Sequence, residues 1–249
     1  MNTIVCIKQV PDTATRVQIA VDGRSIQSGD LNYVMNPYDE FAVEAATTLK
    51  EQHGGEVTAV CLGTQDAVAA LRNAVALGAD HAILLKTDRS DIDASATATA
   101  LAEAIRVRSP DLVLFGKQAV DDDNAQVGPM VAELLSIPCV CQIVNLESND
   151  GIVKVNRQVE GGEEVVSVSL PAVLTTQKGL NEPRYASLKD IMRAKRAPID
   201  EQEVSLIPSR VETIALNLPA ERQASLFIGQ GTEAVPELIQ RLKEEAKGL

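Results

Sequence analysis

Four short apolar runs recur along the first 140 residues, each followed by a stretch of helical period. They are Ile4–Val10, Val57–Leu62, His81–Leu85 and Leu112–Phe115. Each is rich in Val, Ile or Leu and gives way to a polar turn, the pattern of a strand covered on both faces. The segments between them carry helix signals. Asn36 stands at a capping position, Pro37 sits where a missing N–H costs nothing, and Asp39 and Glu40 complement the positive end of the helix. Phe41, Ala45 and Leu49 then follow at helical spacing. Thr64 is a candidate cap for a second helix, with Leu71 and Val75 on its face and Gly78 at its end. Ser95 to Val107 is Ala-rich, and Gly128 to Leu135 forms a further helix that Pro138 stops. Strand–helix alternation of this kind predicts an α/β fold: a mostly parallel, doubly wound sheet of the adenine-nucleotide-binding type, with right-handed crossovers. A chain of 249 residues is ample for such a core. With 2% aromatics and no Trp, that core must be Val, Ile, Leu and Ala.

The pattern changes after residue 140. Val140–Leu146 and Ile152–Gln158 flank Asn149-Asp150-Gly151, a hairpin turn signal, and predict a β-hairpin extension. Gly161-Gly162 leads into two more β-rich runs, ending in Val165–Leu170 and Ala172–Thr175. Residues 197–232 hold Pro198, Pro208 and Pro219 with little amphipathic period, so an extended stretch is expected. Thr232 to Pro236 opens a C-terminal helix with an apolar stripe. The expected division is a nucleotide-binding α/β domain over 1–196, and a C-terminal arm and helix over 197–249 that packs on another subunit.

A formal net charge of -12 argues against non-specific nucleic-acid binding. There is no apolar run long enough for a membrane span, and the chain opens on a strand instead of a leader, so a cytoplasmic setting is expected. Four cysteines do not make a disulfide scaffold in a chain of this length. Cys6 and Cys61 fall inside strands as small core residues. Cys139 and Cys141 form a C-x-C that puts both sulfurs on one strand face, but no further Cys or His completes a zinc set. His53 and His81 have no Ser or Cys partner at a recognisable spacing. Neither a catalytic residue nor a metal site is expected.

In an open α/β sheet, ligands bind outside the carboxyl ends of the strands. No G-x-G-x-x-G follows the first strand. The loop after the fourth, Gly116-Lys117-Gln118-Ala119-Val120-Asp121-Asp122-Asp123-Asn124-Ala125-Gln126-Val127, is the phosphate candidate. Asn124 and Gln126 offer side-chain donors, the helix start offers free amides, and Gly128 permits close approach of a ligand or a neighbouring helix. Three successive aspartates leave two other readings open: an exposed turn that caps the helix, or a Mg²⁺ site. A second cluster lies at Asn181–Arg196, where turn chemistry runs into a short basic helix. Tyr185 and Leu188 stand there beside Lys189, Arg193, Lys195 and Arg196. An apolar tip among cations on an acidic chain suggests docking; a solvated helix end, complementing the macrodipole, is the plainer alternative.

The segment LNEPRYASLKDIMRAK resembles the recognition loop of electron transfer flavoprotein beta subunits. GKQAVDDDNAQVGP resembles that family's nucleotide loop, and NPYDEFAVEAA its second nucleotide-contacting segment. IVCIKQVPD, ALGAD and LPAVLTT fit as well, so the likeness covers nearly the whole chain. It implies a non-enzymatic heterodimer subunit in which an alpha subunit holds most of an FAD and this chain holds an AMP. Matching positions are Cys6, Asn36, Pro37, Tyr38, Asp39, Leu62 and Gly116 to Val127, with Tyr38 facing the flavin. The resemblance also implies docking through Tyr185, Leu188, Arg193, Lys195 and Arg196. Acyl-CoA and related dehydrogenases of fatty acid oxidation would be the electron donors, and an electron transfer flavoprotein–quinone oxidoreductase the acceptor. Bifurcating relatives, which bind a second FAD, tend to carry Gly and then Asp-Thr before AQVGP; Asp122-Asp123-Asn124 stands here instead, which favours AMP. A stand-alone nucleotide-binding module of the stress-protein type is the alternative outside this family.

Overall fold

The computed structural model describes all residues except 28, 30, 90, 221–223 and 246–249. In chain order the elements are β1 (Thr3–Cys6), β2 (Gln9–Pro11), β3 (Tyr33–Met35), α1 (Pro37–His53), β4 (Val57–Gly63), α2 (Val68–Ala76), β5 (His81–Lys86), α3 (Ala94–Arg106) and β6 (Leu112–Gly116). They continue with α4 (Val127–Leu135), β7 (Cys139–Asn149), β8 (Ile152–Val159), β9 (Gly162–Ser169), β10 (Ala172–Thr176), α5 (Leu188–Arg196), β11 (Asp200–Glu203) and α6 (Val235–Glu244). Nine strands form one sheet in the order β11-β5-β4-β1-β6-β10-β7-β8-β9. Pairing is parallel from β11 to β7, and β8 and β9 add antiparallel at one edge.

Side-chain alternation explains the two layers of helix. In β1, Val5 points into the core shared with α1 and α2, whereas Ile4 and Cys6 point into the core shared with α3 and α4. The same division separates Leu112 and Leu114 from Val113 and Phe115 in β6. Leu112, Leu114 and Leu174 are fully removed from solvent, each contributing roughly 1.5–3 kcal/mol.

One expectation needs correction. The run Ile4–Val10 is not one strand. Its sheet pairing ends at Cys6, the Lys8 amide turns to the Asp39 carboxylate at 2.7 Å, and Gln9–Pro11 pairs with Tyr33–Met35 in a separate ribbon. The two β-rich runs after Gly161 take different places: β9 extends the hairpin, while β10 returns to the parallel sheet between β6 and β7. Within the extended stretch 197–232, Asp200–Glu203 pairs with β5 at the opposite sheet edge. That tetrapeptide has no apolar residue, and beyond the backbone ladder its acidic side chains meet Lys86, Gln65 and Arg108, so hydrophobic periodicity could not reveal it. The hairpin turn itself is as expected, with Asp150 and Gly151 both at positive φ (49° and 77°).

Candidate functional site

From β1 the chain moves to β4 and β5 on one side, then crosses to β6 on the other. The switch point therefore lies between β1 and β6, where the crevice beyond the strand ends is the usual ligand position. Cys6 ends β1, Gly116 ends β6, Leu62 lies near the end of β4, and Asn36 to Asp39 open α1. Asp39 ties these parts together. Its carboxylate accepts hydrogen bonds from the Lys8 amide (2.7 Å), Asn36 Nδ2 (2.9 Å) and the Gly116 amide (3.1 Å). Burial pushes the Asp39 carboxyl up to about 7, against the pull of those three donors. Gly116 has no room for a side chain, since a Cβ there would lie 2.3 Å from Asp39 Oδ1 and 2.7 Å from Tyr38 Cβ. Thr176, on β10, closes the cluster by donating to the carbonyls of Tyr38 (3.0 Å) and Phe115 (3.1 Å).

Asn36 occupies the capping position but its side chain makes no cap bond. Instead Nδ2 donates to the Gln118 carbonyl and Oδ1 accepts from the Val120 amide, pinning the phosphate-candidate loop to the start of α1. The three aspartates do not cap α4, whose N-cap position is Gln126, without a side-chain bond. Lys8 Nζ reaches Asp121 at 2.8 Å and Asp122 at 3.1 Å, and Gln118 donates to Asp123. Burial draws the Lys8 ammonium down, but the two aspartates outweigh it and hold the pKa above its ordinary value. No cluster of three or more metal-ligating side chains occurs among the described residues. Asn124, Ala125 and Gln126 are exposed beside the uncapped first turn of α4, and Ala119 and Val120 are half-buried behind them. Lys117 Nζ stands 5.1 Å over the half-buried Tyr38 ring, and Pro37 is exposed at the mouth of the cluster. The Cys6 side chain is buried in the core, so it presents only backbone to the crevice. Gly128 makes its close approach to Thr175 of β10, whose Cγ2 would lie 2.8 Å from a Cβ there; the neighbour is a strand, not a ligand or a helix.

The second cluster is held rigidly behind an exposed tip. Arg184 forks onto Glu44 (2.8 and 3.0 Å) and also bonds Glu51 (2.6 Å), both on α1. Asn181 donates to the Phe41 carbonyl, and Ser187 caps α5. On the other side Ala194 is buried against α2, and Arg72 donates to the Ala194 and Lys195 carbonyls at 2.6 Å. Between these anchors Tyr185 is fully exposed and Leu188 is 82% exposed. Lys195 and Arg196 are exposed, while Arg193 also reaches back to the Val75 carbonyl at 3.3 Å. Sequence reasoning missed Lys8 and Arg184 as site-building residues. Lys8 carried one signal, its place in the turn that follows β1, whereas the acidic partners of Arg184 lie over 130 residues away.

Fold and site together define a doubly wound α/β protein with a polar loop system at its switch point and a stiffly mounted apolar tip. The chain belongs to the electron transfer flavoprotein family: the electron transfer flavoprotein domain matches residues 25–207. It is 38% identical to the electron transfer flavoprotein subunit beta of Bacillus subtilis (strain 168), over 99% of both chains. Identity to the subunit beta of Syntrophomonas wolfei is 40%, over 92% of this chain and 90% of that one. Protein FixA of Azorhizobium caulinodans is 41% identical over 80% of this chain and 74% of its own length. No helix among the described residues is long and apolar enough to cross a membrane.

Proposed function

We propose that this chain is the beta subunit of a two-chain electron carrier. It works with an alpha subunit that holds most of an FAD and keeps an adenine nucleotide, AMP, in its own crevice. The observation that carries this reading is the likeness to a beta subunit over 99% of both chains. The site's chemistry supports the nucleotide. Lys8 and Gln118 engage the aspartates of the loop, leaving an uncapped helix start flanked by Asn124 and Gln126. Amides at such a position suit a phosphate. Asp122 adds bulk and charge to that loop, which favours AMP over a second FAD.

The bound flavin supplies the redox chemistry. This chain's residues bind and position. Asp39, Asn36 and Gly116 hold the strand ends and the loop in register, and Tyr38 lends an aromatic edge. Leu188 and Tyr185 dock electron-donating dehydrogenases, such as those that oxidise acyl-CoA, with a quinone reductase receiving the electrons. The test is to purify the chain with its alpha partner, denature the complex and quantify the released ligands. One FAD and one AMP per heterodimer is the expected result. Two FAD and no AMP would overturn the AMP assignment. A chain that is stable and nucleotide-loaded alone, and never binds flavin with a partner, would sink the carrier reading.

A further inference from the structure

The two thiols of the C-x-C segment lie together on β7, with Cys139 Sγ and Cys141 Sγ 3.8 Å apart. Both residues are half-buried, not sealed in the core as Cys6 and Cys61 are. Val140 between them is buried in the opposite layer, so the two sulfurs share the face that packs toward α4. A bulge adjoins them. The register of β7 with β10 runs Cys139 to Val173 and Val140 to Leu174, then resumes at Ile143 to Thr176. Cys141 and Gln142 thus stand opposite the single residue Thr175. Gln142 takes φ +61°, and its amide donates to Thr175 Oγ1 at 2.9 Å. Bulges re-aim side chains and recur at functional positions.

Two strand residues at i and i+2 have Cα atoms roughly 6.6 Å apart, inside the range a disulfide spans but near its upper end. A bond closed there is readily reopened, as in labile rather than structural disulfides. The local charge distinguishes the two sulfurs. The two sulfurs share one hydrogen bond in which either can be the donor; with Cys139 donating, the Cys141 thiol is drawn below its ordinary range, helped by the Thr175 hydroxyl and the charge of Arg157, and Cys139 is pushed up. Arg157 Nε is buried without a hydrogen-bond partner among the described residues, and its carboxylate neighbour Glu164 is 3.6 Å away. Two thiols with no third ligand among the described residues make no closed metal site.

We propose that Cys139 and Cys141 form a reversible dithiol–disulfide couple that exchanges with low-molecular-weight disulfides of the glutathione class. The Cys141 thiolate attacks one sulfur of the disulfide, forming a mixed disulfide and releasing one thiol. Cys139, losing its proton, then attacks the Cys141 sulfur, closes the intramolecular bond and releases the second thiol. Two electrons pass from the cysteine pair to the small disulfide, whose two halves leave as thiols.

The experiment equilibrates the full-length chain, in complex with its partner subunit, across mixtures of reduced and oxidised glutathione. After an acid quench, free thiols are alkylated and the peptide spanning 139–141 is analysed by mass. The expected result is loss of two hydrogens and both alkylation sites together. Midpoints should follow the square of the reduced glutathione concentration, with Cys6 and Cys61 unmodified. In Cys139→Ser the same treatment should stop at one glutathione on Cys141, removable by dithiothreitol. Persistence of both free thiols across the whole range, or accumulation of a singly glutathionylated parent chain without ring closure, would overturn the couple. An unmodified Cys141 in Cys139→Ser would overturn its role as the attacking sulfur.

Discussion

Asp39 shows how much a single buried carboxylate can organise. It receives three N–H donors from three separate segments, and no cation among the described residues contacts it directly. Its folded pKa, about 7, lies above the ordinary 3.8, so on raising the pH the unfolded chain gives up this proton first. The stabilisation from Asp39 is therefore full below about pH 4 and declines as pH rises towards 7. Each carboxyl oxygen accepts an N–H, protonated or not, whereas the amide nitrogen of an Asn cannot accept, so Asp39→Asn should destabilise by about 1–3 kcal/mol. Because Asn does not titrate, the gap between parent and variant should narrow from pH 5.5 to 7.5, at up to ~1.4 kcal/mol per pH unit. Urea denaturation at several pH values measures this, and a constant gap would contradict it. Gly116 is the steric counterpart. Gly116→Ala places a methyl 2.3 Å from Asp39 Oδ1 and should cost about 1–3 kcal/mol. Nucleotide retention should fall with it; a variant with parental stability and full nucleotide would show that the crevice can yield.

At the scale of elements, the segment from Asn181 to Arg196 combines an ordered base with an exposed apolar tip. Hydrogen bonding to Arg184 holds Glu51, and on balance the partly buried Glu44, below the ordinary carboxylate range. Glu44 is the better shielded of the two, its side chain only 12% exposed, so the clamp is more than a surface ion pair. Arg72 satisfies the last carbonyls of α5. Pre-ordering of this kind lowers the entropy lost when a partner binds. Leu188→Ala removes the apolar tip without touching either anchor. If a dehydrogenase buries Leu188, the loss is roughly 1.5–3 kcal/mol, so electron transfer from it should fall ~10- to 100-fold at limiting carrier. Flavin content should not change. Parental turnover with every dehydrogenase tried would remove Leu188 from the interface.

For the whole molecule, the C-terminal arm stands apart from the core. It follows the body through Ser209 to Arg89 (3.0 Å), Arg210 to Asp93 (2.6 Å) and Leu216 to Gly23 (2.8 Å). Beyond that, α6 leaves Val235, Leu238 and Ile239 each more than 40% exposed and makes no hydrogen bond to the α/β body among the described residues. Ending the chain at Pro219 should therefore leave the body folded, with its unfolding midpoint within a few degrees of the parent. Assembly with the alpha subunit should be lost, as size-exclusion chromatography of co-expressed chains would show. Retained assembly would mean that the arm is dispensable and the sheet face alone makes the interface.

Sequence alone determined the element types and most of the layering. Periodicity marks the buried strands and helices by their burial pattern, and β4, β5 and β6 fall within a residue or two of their expected ends; the polar β11 and the β2–β3 ribbon escaped it. It also placed Asn36 and Asp39 at a helix start and the loop from Gly116 at a strand end, because helix-start and strand-end signals are local. Only the tertiary structure decided the rest. Strand order placed β10 between β6 and β7, a choice invisible to a run that would suit any buried strand. Long-range pairing set Lys8 against Asp121 and Asp122, turned Asn36 from a cap into a loop clamp, and showed Gly128 to be a packing glycine against Thr175. Those outcomes depend on which groups meet once the sheet closes. Local sequence states each group's capacity to bond, and the fold chooses the partner.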